Sequence, residues 1–284
     1  MARIGGVGHD LPAADRADDT VQGHWLLARL GKRVLRPGGI ELSRGLLERA
    51  GLPNSDVVEL APGMGRTATE ILTHQPRSYT GVERDPDAAR GVQRIVARVD
   101  GRVDVADAAE TGLPHGCADV VVGEAMLSMQ SDAVKRAIVA EAARLLRPGG
   151  RYAIHELALT PNAIDEQVKT DIRQSLATSL KVNARPLTVA EWMQLLAEHE
   201  LVVDAVSTAP MALLEPRRLV ADEGARGALR FAKNLLLHRD ARRRVLAMRR
   251  TFRTHAKHLT AVGIVAHKPG GGANPAVSKG KGCC

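Results

Sequence analysis

Aromatic side chains are nearly absent from this sequence: two Trp, two Tyr and two Phe make up 2% of it. A protein that stacks single-stranded bases on aromatic platforms is therefore all but excluded, and the core has to be built from Ala, Val and Leu. Cysteine is equally scarce. Cys117 stands alone in the turn PHGCAD, and Cys283-Cys284 close the chain. Three cysteines build no disulfide framework, and none has the spacing of zinc ligands, so no metal is expected. No apolar run is long enough to cross a bilayer. The opening MARIGGVGHDLPAADRADD lacks the apolar stretch of a secretory signal, and the expected location is the cytoplasm. Acids are outnumbered, 32 Asp+Glu against 40 Lys+Arg, which leaves a net charge of +8. That charge admits an anionic partner without requiring one.

What is present is an ordinary globular composition, 44% hydrophobic over 284 residues, enough for one large or two small domains. Apolar residues recur at helical spacing in HWLLARLGKRVL and IELSRGLLERAG, and RPGGI (Pro37, Gly38, Gly39) breaks them apart. From Asp56 the pattern changes. Short apolar runs at 57–61, 79–83, 103–106, 119–123 and 151–157 read as strands, with helices between them at about 66–74, 86–99 and 132–146. Arg147-Pro148-Gly149-Gly150 reads as a helix stop and a turn into the next strand. Short buried strands alternating with helices predict a mostly parallel sheet with helices on both faces. Thr188-Val189-Ala190-Glu191 has the form of a capping box. Further strands are expected at 201–207 and 258–266. A helical stretch from about 215 to 257 carries Ala241, Val245, Met248, Phe252 and Ala256 on one stripe. The expected organisation is a helical cap at 1–54, an α/β domain at 55–268 with a helical insertion at about 209–257, and a disordered tail at 269–284.

Chemistry concentrates in DVVELAPGMGRTATEIL, from Asp56 to Leu72. An apolar run carries an acid, Glu59. A glycine turn with Gly63 and Gly65 follows, and then a helix opens. That order points free backbone N–H groups at a nucleotide-like ligand. The glycines let the backbone approach without a Cβ clash. About 20 residues on, SYTGVERD ends its strand with a second acid, Glu83, the place from which a carboxylate grips a ribose hydroxyl pair in doubly wound folds. Gly63-Met64-Gly65-Arg66-Thr67-Ala68 also satisfies the loose dinucleotide fingerprint, so a nicotinamide-dependent oxidoreductase is an alternative. Glu59 in a normally apolar strand and Pro62 before the first glycine speak against it.

Taken together, Glu59-Leu60-Ala61-Pro62-Gly63-Met64-Gly65, Glu83, Asp107 in VDVADAAETGLP, the strand ADVVVGEAML and LLRPGG resemble the motifs of class I S-adenosylmethionine-dependent methyltransferases, of the small-molecule, type 11/25-like kind. The resemblance covers 56–157 and, more loosely, the chain to about 266. Ala61 stands where the family has its first glycine. The resemblance implies a Rossmann-like sheet of seven mostly parallel strands with the last antiparallel, helices on both faces, and N-terminal and late helical additions. It implies S-adenosyl-L-methionine as cofactor, with Glu59, Ala61, Gly63, Gly65, Glu83 and its neighbour Arg84 around the methionine and ribose portions. Asp107 and Ala108 would stand at the adenine, and Glu59 and Asp107 could instead cap the segments that follow them. Glu124, at the end of the fourth strand, is a further ligand contact by the strand-end rule.

The same rule selects the acceptor side. His155 and Glu156 lie at the carboxyl end of the fifth strand, where ligands of open α/β sheets bind, and His155 is the candidate base near neutral pH. The competing role for either is a hydrogen-bonded place in the helix layer, since a strand alternates its faces. His24, Trp25 and Met126 are candidate acceptor contacts, with core packing the competing role for Trp25. The expected partner is a small-molecule acceptor; a homodimer is left open. The run Arg239, Arg242, Arg243, Arg244, Arg249, Arg250 and Arg253 reads as a solvated helix face opposite the apolar stripe, with an anionic substrate, a membrane surface or nucleic acid as the alternatives. Nucleic acid is disfavoured, because no Asn-Pro-Pro-Tyr or Asp-Pro-Pro-Tyr follows the fourth strand. A donor-binding module without catalysis, and an RNA or DNA methylase using the arginine face, are the remaining alternatives.

Overall fold

The computed structural model describes residues 20–270. Residues 1–19 of the expected cap and the tail from 271 on, with Cys283 and Cys284, lie outside the described residues. In chain order the elements are α1 (Gly23–Arg29), α2 (Gly39–Ala50), β1 (Asp56–Leu60), α3 (Arg66–Thr73), β2 (Ser78–Val82), α4 (Pro86–Val96) and β3 (Arg102–Asp104). Then come β4 (Ala118–Glu124), α5 (Asp132–Leu145), β5 (Leu146–Leu159), α6 (Glu166–Leu180), β6 (Leu187–Thr188) and α7 (Val189–Ala197). The last are β7 (Val202–Pro210), α8 (Pro216–Leu237), α9 (Arg239–Thr254) and β8 (Leu259–His267).

The main sheet runs β3-β2-β1-β4-β5-β8-β7, with β6 paired to the end of β5. The neighbours from β3 through β5 are parallel. β8 is antiparallel to both β5 and β7. This is the expected mostly parallel sheet with its last strand reversed, enlarged by the two-residue β6. Strand order changes direction between β1 and β4, and that switch point places a crevice at the carboxyl ends of the strands. An all-parallel dinucleotide sheet has no counterpart of the inserted antiparallel β8.

Three apolar layers hold the fold. Leu46, Leu47, Ile71 and Val92 pack on one sheet face against Val57, Tyr79 and Val120. Ile138, Val139, Trp192 and Leu195 cover the other face against Val58, Val121 and Tyr152. A third cluster, Leu26, Leu27, Ile172, Leu176, Phe231, Val245 and Met248, joins α1 to α6, α8 and α9. The low aromatic content is thus met by aliphatic packing, each buried Val, Leu or Ile contributing roughly 1.5–3 kcal/mol. Helix starts follow their caps. Asp85 accepts from Asp87 and Ala88 ahead of α4, and the capping box of Thr188 and Glu191 opens α7 with both reciprocal bonds present.

Four expectations change. α1 ends at Arg29 instead of running to residue 35, because Gly31 has φ +100° and the chain then turns into an irregular strap. The strap is held from α8: Glu223 Oε1 accepts from the amides of Arg33 and Val34 at 2.8 Å, and Asp222 pairs with the buried Lys32 at 3.3 Å. Arg147 to Gly150 do not form a separate turn. They belong to β5, where Gly149 (φ +82°) donates to Lys268 O at 2.7 Å and Gly150 O accepts from Lys268 at 2.9 Å. Ala256 lies past the end of α9 and is exposed, so the apolar stripe stops at Phe252. The basic run is also less uniform than expected: Arg249 and Arg253 pair with Glu215, and Arg244 donates to Val21 O.

Candidate active site

A crevice of about 530 Å³ opens at the carboxyl ends of β1, β2 and β4. Its floor is the turn after β1. Ala61, Gly63 and Gly65 take φ of +52°, +55° and +70°, so the chain doubles back at once into α3. A Cβ at position 65 would stand 2.5 Å from Ile95 Cδ1, which ties that glycine to the packing of α3 on α4 as well as to its dihedral. Glu83 fixes the turn from the side: Oε2 accepts from Gly63 N–H at 2.9 Å and Oε1 from Asp85 N–H at 3.0 Å. Each oxygen keeps a further lone pair for a ligand hydroxyl.

Of the buried acids that line the crevice, Glu59 and Glu124 are held in opposite electrostatic states. Burial pushes the Glu59 carboxyl up to about 8, with Glu124 and Glu83 adding like charge and the Tyr79 hydroxyl, at 2.6 Å from Oε2, pulling the other way. Burial also acts upward on Glu124, but the Arg36 guanidinium, the His155 ring and the Thr67 hydroxyl outweigh it and hold that carboxyl at about 2. Arg36 pairs directly with Glu124 Oε2, and Thr67 Oγ1 donates to the same oxygen at 2.5 Å. Oε1 of Glu124 makes no hydrogen bond; His155 Nδ1 stands 3.5 Å from it. Pairs of carboxyls separated in this way can carry different tasks at one pH.

His24, Trp25, Arg33, Leu35 and Arg36 form the roof, and Met126 and Met129 a side wall. Next to the crevice is a chamber of about 50 Å³ lined by Leu27, Pro37, Leu157, Leu180, Leu213 and Phe252. His24, Leu35, Ala125, Met129 and Val182 border both spaces. Burial lowers the His24 imidazole to about 4, and its Nδ1 is buried without a partner.

The structure thus gathers Glu59, Ala61, Gly63, Glu83, Arg84, Glu124, His24, Trp25 and Met126 around one space. Five expected residues fall elsewhere. Gly65, the N-cap of α3, faces Val92 and Ile95 instead of lining the crevice. His155 is enclosed behind Glu124. Its Nε2 accepts from Gly38 N–H at 3.2 Å, so Nδ1 carries the proton toward Ser43 Oγ at 3.0 Å. The imidazole positions the start of α2 and Glu124 rather than facing the crevice. Glu156 borders the small chamber, but its oxygens accept from the amides of Met126, Leu127 and Ser128 and from the Ser128 hydroxyl, which shapes the turn after β4. Asp107 is half exposed outside the crevice lining. It accepts from Ala109 N–H at 2.8 Å, the cap role, and reaches Arg84 only at 4.0 Å. Ala108 packs on the core. Two residues of the site, Arg36 and Thr67, carry no mark in the sequence. Arg36 sits at the end of a stretch with helical spacing, and Thr67 has the form of any polar residue in the first turn of a helix.

A methyltransferase-domain family model matches residues 57–150, the stretch from β1 through the glycines of β5 that carries the crevice floor with Glu59, Glu83 and Glu124. The chain carries a methyltransferase domain, and its fold is that of the class I S-adenosylmethionine-dependent methyltransferases. An uncharacterized protein of Haemophilus influenzae is 30% identical over 252 residues, 84% of this chain and 96% of that one. Among solved methyltransferases, the phosphoethanolamine N-methyltransferase 2 of Haemonchus contortus, in complex with phosphomonomethylethanolamine and S-adenosylhomocysteine, superposes with a TM-score of 0.66 at 15% identity. The match covers 92% of this chain and 60% of that one. A geranyl diphosphate methyltransferase, in complex with GPP and sinefungin, gives 0.58 at 18% identity, over 80% and 77% of the two chains. At such identities the likeness is one of fold. S-adenosylmethionine and its demethylated product are typical ligands of this methyltransferase family.

Proposed function

We propose that this methyltransferase moves the methyl group of S-adenosyl-L-methionine to a small, mostly apolar acceptor. The observation that supports it most is the convergence of Glu59, Glu83 and residues 61–64 of the glycine turn on one crevice. The residues suit the donor. Glu83 would take the ribose hydroxyls, the glycine turn would admit the methionine portion, and the acids Glu59 and Glu124 match a ligand that is cationic at both its sulfonium and its ammonium. Three buried polar atoms of the lining residues, Glu124 Oε1, His24 Nδ1 and Arg66 Nε, make no hydrogen bond, which fits a cavity completed by a ligand.

The donor supplies an already activated methyl group, so what is asked of the chain is alignment and exclusion of water. The cap residues His24, Trp25, Leu35 and Arg36 close the crevice from above. The acceptor would enter the apolar chamber beside them, where His24 is the group placed to accept its proton if the nucleophile must lose one.

Isothermal titration with S-adenosylmethionine and with S-adenosylhomocysteine tests the first half. Absence of binding at millimolar ligand removes the reading. A screen of neutral alcohols, phenols, thiols and amines, followed by release of S-adenosylhomocysteine, tests the second. Donor binding with no transfer to any acceptor would favour a silent binding module.

A further inference from the structure

Among the described residues, the most exposed large apolar side chains lie together on α8. Leu229, Leu236 and Leu237 are 72%, 69% and 67% exposed. On a helical wheel they share one face with Arg226, Arg230 and Lys233. The opposite face of the helix packs inward through Phe231 and Leu235. The three cations form no ion pair or hydrogen bond among the described residues. No acid occurs from Gly224 through Arg239. The nearest preceding acids, Asp222 and Glu223, are turned onto Lys32, Arg33 and Val34. α9 exposes the same mixture at Leu246, Arg243 and Arg250.

We propose that this leucine-and-cation face of α8 is a docking surface for an anionic lipid bilayer. The chemistry selects that partner. Leucines exposed to this degree lose contact with water only against an apolar phase. Arginine and lysine stems lie along such a phase while their heads reach the phosphates at its surface. A second copy of the chain fits poorly, because an isologous contact would set Arg226, Arg230 and Lys233 against the same three charges. Among the described residues no helix is long and apolar enough to cross a membrane, so the mode is peripheral: the helix lies in the interface. The surface is separate from the donor crevice, and the inference does not depend on the proposed reaction.

The test is co-sedimentation of the full chain with vesicles. One set is phosphatidylcholine alone; the other is equal parts phosphatidylcholine and phosphatidylglycerol. Binding to the second set that weakens with added salt is expected. The double variant Leu229→Ser/Leu236→Ser and the double variant Arg230→Gln/Lys233→Gln should each reduce partitioning about tenfold or more. All four positions are exposed, and unchanged melting curves would confirm that the variants fold. Equal binding to both vesicle sets, or leucine variants that bind like the parent, would overturn the proposal. So would a concentration-dependent dimer in sedimentation velocity that the leucine variant abolishes, since that assigns the face to self-association.

Discussion

The Arg36 guanidinium closes on the Glu124 carboxylate, joining the strap ahead of α2 to the end of β4 with side chains only 5% and 4% exposed. A pair this buried returns little net stability when intact but is costly to break, because one partner alone leaves an uncompensated charge. Arg36→Met is expected to lower unfolding stability by about 3 kcal/mol or more, and Arg36→Met/Glu124→Gln should recover much of that loss. The pH response carries the sign. Glu124 is held at about 2, below its value in the unfolded chain, so its contribution is complete above the ordinary carboxylate range and vanishes as pH falls through about 2. In Arg36→Met the loss should begin at higher pH. Urea midpoints measured across acidic pH check both statements.

Glu59 runs the other way. Its folded-state value of about 8 lies above the ordinary 4.5. Between those values the folded chain keeps a proton that the unfolded chain has released, so stability falls as pH rises through this window. Glu59→Gln should remove that slope and leave the protein more stable than the parent at pH about 8. A cationic donor would favour the ionised carboxylate. Donor affinity is therefore expected to rise with pH toward 8, with proton release visible as a buffer-dependent heat of binding. Titration in two buffers of different ionisation enthalpy reads this directly, and equal heats in both would contradict it.

The sheet, the glycine turn and its flanking acids were legible in the sequence because they depend on local pattern: apolar runs of strand length, residues that tolerate positive φ, a carboxylate at a strand tip. His24 and Trp25 were legible as parts of the roof, but the strap that completes it was not, because long-range bonds set it. Arg36 takes its place from Glu124 and Ser43, and the strap around it from Glu223, nearly two hundred residues away in the chain. His155 shows the limit of the strand-end rule. Position along β5 put it near the ligand, but the face on which it emerges is occupied by Gly38 and Ser43. β6 was hidden for another reason: Thr188 serves at once as the strand's last residue and as the cap of α7.

Ala61 provides a test of the turn itself. It holds φ +52° where the family has a glycine, and an L-residue in that region costs about 1 kcal/mol. Ala61→Gly should therefore be neutral to stabilising by up to about 1 kcal/mol, the gain offset in part by the extra freedom of glycine in the unfolded chain. Gly65→Ala should act oppositely, since its Cβ would meet Ile95 and its φ of +70° is equally unfavourable. Thermal melts of the two variants, run with and without S-adenosylhomocysteine, should show Ala61→Gly retaining the ligand-induced shift and Gly65→Ala losing most of it.

His24 is where stability and the proposed chemistry conflict. Its buried Nδ1 has no partner, an arrangement that costs on the order of 1–3 kcal/mol in a folded protein. Its ring is lowered by burial from 6.5 to about 4, so the unfolded chain takes up a proton before the folded one does. Stability is thus lost as pH falls from about 6.5 to about 4 and is complete above that range. His24→Phe removes the unpaired atom and the titration together. The variant should unfold at higher urea than the parent and show a flatter acid limb. If His24 receives the acceptor's proton, the same variant should lose roughly 10²–10⁴-fold in turnover with an acceptor that must be deprotonated. Affinity for S-adenosylhomocysteine should change far less, because the donor's acids and turn are untouched. A variant both more stable and inactive would mark His24 as kept for the reaction rather than for the fold, whereas full activity in His24→Phe would move the proton acceptor elsewhere in the crevice.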